Sequence, residues 1–409
     1  MSKDSKDLIV GLDVGTSKVT AMVAELRPDG RLEVIGVASQ PSAGLKKGVV
    51  VNIEATVDSI SRVIQEVELL ADCKVRDVYT GIAGSHIRSF NSNGMVAIKD
   101  KEGTPLDVER VIEVARAMPI PADQQILHIL TQEFIIDGQD GVREPIGMSG
   151  VKLEVRVHII TGAVSAAQNL IKCVRRCGLE VVDLVLQPLA SSFATLSDDE
   201  KELGVCLVDI GGGTTDLAVF TQGAIRHTAV IPIAGDQITN DIAMALRTPT
   251  VEAEEIKLHQ GMAMQTLVDP AEMIEVPSIG DRPPRSLSRE SLAAVIQPRV
   301  QELFELVQAE LRRSGYEELL SSGLVLSGGS AQLAGISELG EDVFHVPVRV
   351  GIPTYQGALA DVVCQPQYAN VMGLIMEGAA QRRRGLLARE TRSVRHTFER
   401  IKAWLEKNF

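Results

Sequence analysis

Two short stretches, GLDVGTSKVTAMV and LVDIGGGTTDLAV, share an order of residue types suited to phosphate chemistry. In each, a hydrophobic run ends in an aspartate, Asp13 or Asp209, then a turn of glycine and hydroxyl residues leads into a second hydrophobic run. Such a turn points backbone N–H groups outward with no side chains in the way, which makes a cradle for phosphate oxygens. An aspartate at the strand end, aimed at the same place, can hold Mg2+ through its waters, the usual manner of that ion. Lys18 stands where it could meet a phosphate as a point charge. Either stretch alone is as readily an ordinary hairpin. The two together, with a further Gly-Gly turn at Gly328 and Gly329, point to two similar halves that face one another.

The elements that must position these turns follow from periodicity. DLIVGLDVGTSKVTAMVAEL reads as two strands about the turn Gly15-Thr16-Ser17-Lys18, GVCLVDIGGGTTDLAVF as a second strand–turn–strand, and GLVLSGGSAQLAG as strand–turn–helix. Val57, Ile60, Ile64, Val67 and Leu70 recur at helical steps and predict a helix within residues 49–71. Thr104 sits where an N-cap belongs and Pro105 at the first helical position, ahead of the face Val108, Val111, Ile112 and Ala115. Residues 84–164 thus read as a strand–helix–strand–strand unit of their own. Ser165 and Gln168 fit a capping box that opens the helix SAAQNLIKCVRRCG, with Gly178 ending it. Residues 235–310 read as mostly helical, interrupted by VPSIGDRPPRSLSRE.

Composition bounds the function classes. A chain of 409 residues exceeds one ordinary core, so two or more domains are expected. With 45% hydrophobic and 23% charged residues it should fold, and a net charge of −13 argues against general nucleic-acid binding. Cys73, Cys173, Cys177, Cys206 and Cys364 show no paired metal-ligand spacing and are expected as reduced thiols. The start, MSKDSKDLIVGLDVG, lacks the apolar centre of a signal peptide, and no apolar run reaches the roughly 18 residues of a spanning helix. The expected place is therefore the cytoplasm, or a membrane surface facing it. The closing stretch is suited to the latter. On a helical wheel Val394, Phe398, Ile401, Leu405 and Phe409 form one stripe with Trp404 at its edge, while Arg395, Arg400, Lys402 and Lys407 flank or oppose it. That is the pattern of a helix lying in the plane of a membrane, with a helix docked on the protein's own core as the alternative. Half-burying these side chains gives about 5–10 kcal/mol gross.

Five segments together resemble the signature set of the actin, Hsp70 and sugar-kinase ATPase superfamily. They are GLDVGTSKVTAMVAE, VCLVDIGGGTTDLAVF, DLVLQPLASSFATL, GLVLSGGSAQLAGISEL and ANVMGLIMEGA, similar in turn to its two phosphate motifs, first connecting helix, adenosine motif and second connecting helix. The resemblance implies an α/β, two-lobed actin-like fold with duplicated RNase-H-like halves, binding ATP and Mg2+. It implies Asp13 and Asp209 around the metal, with Gly15, Thr16, Ser17, Lys18, Gly211, Gly212, Gly213 and Thr214 on the phosphates. It also implies Gly328 and Gly329 at the adenosine, Gly235 and Asp236 near the cleft, Glu254 on the ribose and Lys257 on the adenine side. For the last two, an i,i+3 pair on a solvated helix face is the competing reading. Gln187 occupies the position that orients the attacking water; a glutamine is a poor base, so at most slow hydrolysis is expected.

Within the superfamily the chain is similar to the FtsA family of bacterial cell-division proteins. GIAGSHIRSFNSNGMV resembles the start of that family's own small subdomain (1C, SHS2-like), EVPSIGDRPPRSLSRE its segment that receives the C-terminal tail of the tubulin-like FtsZ, and the closing stretch its membrane helix. Arg285 and Arg289, beside Leu287 and Leu292, would suit a short apolar and acidic peptide. The implied layout is residues 1–83, 165–194 and 366–381 as lobe 1, 84–164 as the insert, and 195–234 with 311–365 as lobe 2. Residues 235–310 would be the 2B subdomain, 382–391 a linker and 392–409 the membrane helix. The implied function is anchoring of FtsZ filaments at the cytoplasmic face of the inner membrane at the septum, with self-association and recruitment of later division proteins. An actin-like pilus-assembly ATPase, an Hsp70-like chaperone and a small-molecule kinase of the same fold are the rivals. The kinase would need a catalytic carboxylate facing a substrate pocket, and the chaperone a peptide-binding domain that the sequence does not present.

Overall fold

A computed structural model describes residues 7–280 and 282–384. Two five-stranded sheets dominate it, and they have one topology. The first runs Glu180–Leu186, Asp77–Ile82, Leu8–Val14, Lys18–Leu26, Leu32–Pro41, and the second Val348–Val350, Leu324–Ser327, Val205–Ile210, Thr215–Thr221, Ala224–Ile231. In each, three successive strands form an antiparallel meander, and two later strands add in parallel beside the first. The central strands are near-continuous apolar runs because both their faces are covered. The duplication read from the two hairpins is therefore a duplication of the whole sheet. The halves also share a core: Leu12, Val19 and Ile60 belong to the same buried cluster as Leu207, Ala218 and Val325.

Helix Ile53–Ala71 covers the first sheet with Ile60, Val63, Ile64 and Val67. It begins later than the periodicity allowed because the Asn52 side chain caps it, accepting from the Ala55 N–H at 3.2 Å, while Val49–Val50 pairs with Leu45–Lys46. Helix Pro105–Arg116 starts as expected: Thr104 and Asp107 form a reciprocal capping box. The expected box at Ser165 and Gln168 is absent. Strand Lys152–Ala163 runs directly into helix Val164–Arg176, so Ala163 is the N-cap, and the Val164 N–H goes to Asp123 O at 2.9 Å. No disulfide joins any of the five cysteines, all of which lie among the described residues.

Between the fourth and fifth strands of the first half lies a separate antiparallel sheet, ordered Arg88–Ala97, Lys152–Ala163, Gln124–Ile136, Gln139–Val142, with helix Pro105–Arg116 packed on it through Val111 and Ala115. This insert sits against the outermost strand of both large sheets. On the second half, Ser89 Oγ donates to Thr228 O at 3.0 Å, Gln132 Nε2 to Ile225 O at 2.9 Å, and His158 Nε2 meets Thr228 Oγ1 at 3.1 Å. On the first half, the Leu186 N–H donates to His128 Nε2 at 3.0 Å.

Candidate functional site

Asp13 and Asp209 are each the penultimate residue of the central strand of their sheet, so the duplicated topology brings them to opposite walls of one cleft. That cleft has a volume of about 320 Å3. Gly15 to Lys18 and Gly211 to Thr214 line it, as do Gln187, Glu254, Lys257, Gly328 and Gly329. The two turns touch: Ser17 Oγ donates to Asp236 Oδ1 at 3.1 Å, and a Cβ added at Gly212 would overlap Ser17 Oγ. The Gly235 N–H donates to Gly211 O at 3.0 Å, which ties the start of helix Gly235–Leu246 to the second turn. Gly328 has φ +85°, and a side chain there would press on Ile210 O and Asp209 Oδ1. Gly329 faces open space instead, so its backbone is presented to the cleft.

The electrostatics are unbalanced toward negative charge. Asp13 Oδ1 accepts from Gln187 Nε2 at 2.8 Å and from Asn370 Nδ2 at 3.0 Å; burial and the Asp209 charge nevertheless push its carboxyl up to about 7. Asp209 accepts from Ser191 Oγ at 2.6 Å and is also raised, chiefly by burial. Asp216, 3% exposed, accepts from Thr214 Oγ1 at 2.9 Å; burial and Asp209 push it up to about 7, and its Oδ1 finds no partner among the described residues. Against these acids stands Lys18, which donates to Gln367 Oε1 at 2.7 Å and lies over the Tyr368 ring at 5.1 Å. Burial pulls the ammonium down to about 8 although both aspartates oppose the shift. A desolvated site with more acids than cations is one that an added cation relieves. The donors are hard oxygens, which suit Mg2+. Among the described residues no three His, Cys, Asp or Glu side chains gather closely enough to ligate a metal alone.

Glu254 and Lys257 are not a solvated surface pair. Lys257 is 9% exposed and donates to Glu254 Oε2 at 2.7 Å, Thr239 Oγ1 at 2.9 Å and Gly235 O at 3.2 Å. Both line the cleft because helix Thr250–Gln260 packs on helix Gly235–Leu246. The arginine pair lies elsewhere, at a two-stranded hairpin formed by Met273–Val276 and Arg285–Ser288. Arg285 is exposed and donates to Leu246 O; the Arg289 guanidinium is held by Glu272 at 2.9 Å and by Gln260 O at 2.8 Å. Leu292, read beside them as part of a peptide surface, is 1% exposed and belongs to the core of the second half, since it falls on the inward face of helix Arg289–Ser314. Val394, Phe398, Ile401, Trp404, Leu405 and Phe409 lie outside the described residues.

Several residues that line the cleft or sit behind Asp209 carried no assignment from sequence. Asn370 and Gln367 come from the second connecting segment, Ser191 from helix Gln187–Thr195, and Asp216 from the strand after the second turn. Their one signal was a polar side chain in an otherwise small or apolar run. His86 also lines the cleft, beside Ile82, Ala83 and Leu170, with no partner for either ring nitrogen among the described residues.

The comparisons with known proteins agree with this architecture. The family profile described as Cell division protein FtsA matches residues 206–373, and that of the SHS2 domain inserted in FTSA matches residues 84–161. The Cell division protein FtsA of Pseudomonas aeruginosa is 57% identical, with 100% of both chains covered. Among solved structures, a PilM-PilN type IV pilus biogenesis complex has a TM-score of 0.66 at 19% identity, covering 91% of this chain and 98% of that one. MreB 5 of Spiroplasma citri bound to AMPPNP has a TM-score of 0.57 at 16% identity, covering 94% of this chain and 99% of that one. These likenesses show the actin-like fold.

Proposed function

The chain belongs to the FtsA family of cell-division proteins, and from that premise we propose that it is an ATP-binding, membrane-tethered adaptor that ties FtsZ filaments to the cytoplasmic face of the inner membrane at the septum. In this reading it is a peripheral membrane protein, associates with itself into actin-like filaments and helps to recruit later division proteins. The observation that carries the nucleotide part is the cleft of two facing turns with desolvated Asp13 and Asp209 set against Lys18.

Asp13 and Asp209 would hold Mg2+ through its waters, and the ion, when bound, supplies the positive charge that both the acids and the phosphates call for. Thr16, Ser17, Lys18 and the backbone of Gly211 to Thr214 bind phosphate, Gly328 and Gly329 the adenosine, Glu254 the ribose, and Lys257 the adenine side. Gln187 spends its amide N–H on Asp13, which leaves Oε1 to accept from a water; it orients that water without taking its proton. Hydrolysis would therefore be slow, and nucleotide would serve chiefly to set a conformation. For the FtsZ tail, Arg285 is the more available guanidinium because Arg289 already has Glu272. Residues 392–409 would supply the membrane helix through Val394, Phe398, Ile401, Trp404, Leu405 and Phe409.

Flotation of purified FtsZ with liposomes containing anionic lipid tests the adaptor reading. FtsZ should rise with the vesicles only when the chain is present, and Arg285→Glu should reduce the amount carried. FtsZ left at the bottom of the gradient while the chain itself floats would overturn the adaptor role.

A further inference from the structure

The strand Glu180–Leu186 is an edge of the first sheet, so its outward N–H groups have no ladder partner. At Leu186 the partner comes from the insert: His128, on strand Gln124–Ile136, accepts that N–H at its Nε2, 3.0 Å away. Acceptance at Nε2 fixes the neutral ring with its proton on Nδ1. Burial, which lowers the His128 pKa, keeps it neutral. Leu186 is the N-cap residue of helix Gln187–Thr195, and that helix start has no side-chain cap of its own. The next residue, Gln187, reaches Asp13 at 2.8 Å. A continuous path of short contacts thus runs from the insert through His128, Leu186 and Gln187 to the first aspartate of the cleft.

The same strand is fastened to the other half. Four residues beyond His128, Gln132 Nε2 donates to Ile225 O at 2.9 Å, and neighbouring strands add Ser89 to Thr228 O and His158 to Thr228 Oγ1. These are side-chain bonds, not a strand ladder, so they can part and re-form without unfolding either sheet. An insert held at both halves must respond when a ligand between the halves alters their relation.

We infer that His128 is a positioning residue for Gln187, and that through it the nucleotide state of the cleft is communicated to the inserted subdomain. The inference rests on the nucleotide-binding reading of the cleft and goes beyond it. It makes the insert, whose one cleft-lining residue among those described is His86, a reporter of what the cleft holds. Cleft closure would load the His128 bond from one side and the Gln132 bond from the other, and strand Gln124–Ile136 would carry the difference.

Amide hydrogen exchange on the full chain, with and without saturating Mg-ATP, tests this. In the wild type, Mg-ATP should slow exchange in the Asp13 turn and also change it by at least about threefold in strand Gln124–Ile136. His128→Phe, which keeps a planar aromatic ring of larger size and removes the acceptor, should abolish the strand response while the turn still responds. His128→Gln, whose Oε1 can accept the Leu186 N–H, should restore it. A strand response unchanged in His128→Phe overturns the inference, as does a wild-type strand that ignores Mg-ATP while the turn responds. The latter result decides the matter even if the phenylalanine variant fails to fold. Absence of any response at the wild-type turn would overturn the nucleotide reading itself and the coupling with it.

Discussion

The two aspartates of the cleft and Asp216 behind them are held under conditions that disfavour their charge. Asp13, Asp209 and Asp216 are each raised by burial, and Asp209 adds like-charge repulsion to both of the others. A group kept for stability would have been paired; these are paired with neutral amides and hydroxyls instead. Asp209→Asn should therefore separate binding from stability. The amide keeps an acceptor for Ser191 and removes one desolvated charge, so the nucleotide-free thermal midpoint should hold or rise. Mg-ATP affinity should fall about tenfold or more, as expected when an interaction with a charged group worth about 1.5–3 kcal/mol is lost. Titration calorimetry beside thermal unfolding reads both; binding left intact would show that the second turn has another task. Asp13 and Asp209 were legible in the sequence because each heads a local run of turn residues. Asn370 was not, because nothing near it in sequence betrays a partner 357 residues away. Arg289 was legible as a charge, yet its ion pair with Glu272 is a tertiary fact.

At the level of elements, hairpins and helix starts were readable wherever a local rule decides them, as with Thr104, Pro105 and the two phosphate turns. The helix expected from Ser165 is present from Val164, but its capping box was misread because a strand feeding straight into it replaced the box with a tertiary backbone bond. The seat of the insert was not readable at all, since it depends on edge strands that exist only after both sheets form. That seam has a pH signature. His158 is 1% exposed between Asn91 Oδ1 at 2.7 Å and Thr228 Oγ1, and burial, helped by His227, pulls it down to about 4. The folded value lies below the unfolded one, near 6.5, so the unfolded chain binds the proton more readily between the two. The stabilisation is complete above about pH 6.5 and is lost as the pH falls toward 4. Between pH 7 and 5 this site alone should cost about 2 kcal/mol. Denaturant unfolding of the wild type should steepen over that interval relative to His158→Gln, and parallel pH profiles would mean that His158 binds its proton as readily in the folded chain as in the unfolded one.

For the whole molecule, the two halves share one buried cluster and the insert bonds to both, so a force applied at one surface is borne by a single packed body. Among the described residues no helix is long and apolar enough to cross a membrane. The proposed membrane hold is assigned to residues 392–409, whose stripe of Val394, Phe398, Ile401, Leu405 and Phe409 would supply about 5–10 kcal/mol before the cost of ordering a helix. Arg395, Arg400, Lys402 and Lys407 add roughly 1 kcal/mol each near an anionic surface. After ordering, one copy should bind reversibly, and a row of copies should bind far more tightly because each bound neighbour raises the effective concentration of the next. Two results follow. A chain ending before residue 392 should lose flotation with anionic liposomes and keep Mg-ATP binding. The full chain should float with a steeper than linear dependence on its own concentration, and that steepness should vanish under conditions that block self-association. Flotation of the shortened chain would place the membrane contact on the body. A linear dependence would show that one helix suffices, and the assembly would then be needed for FtsZ and not for the membrane.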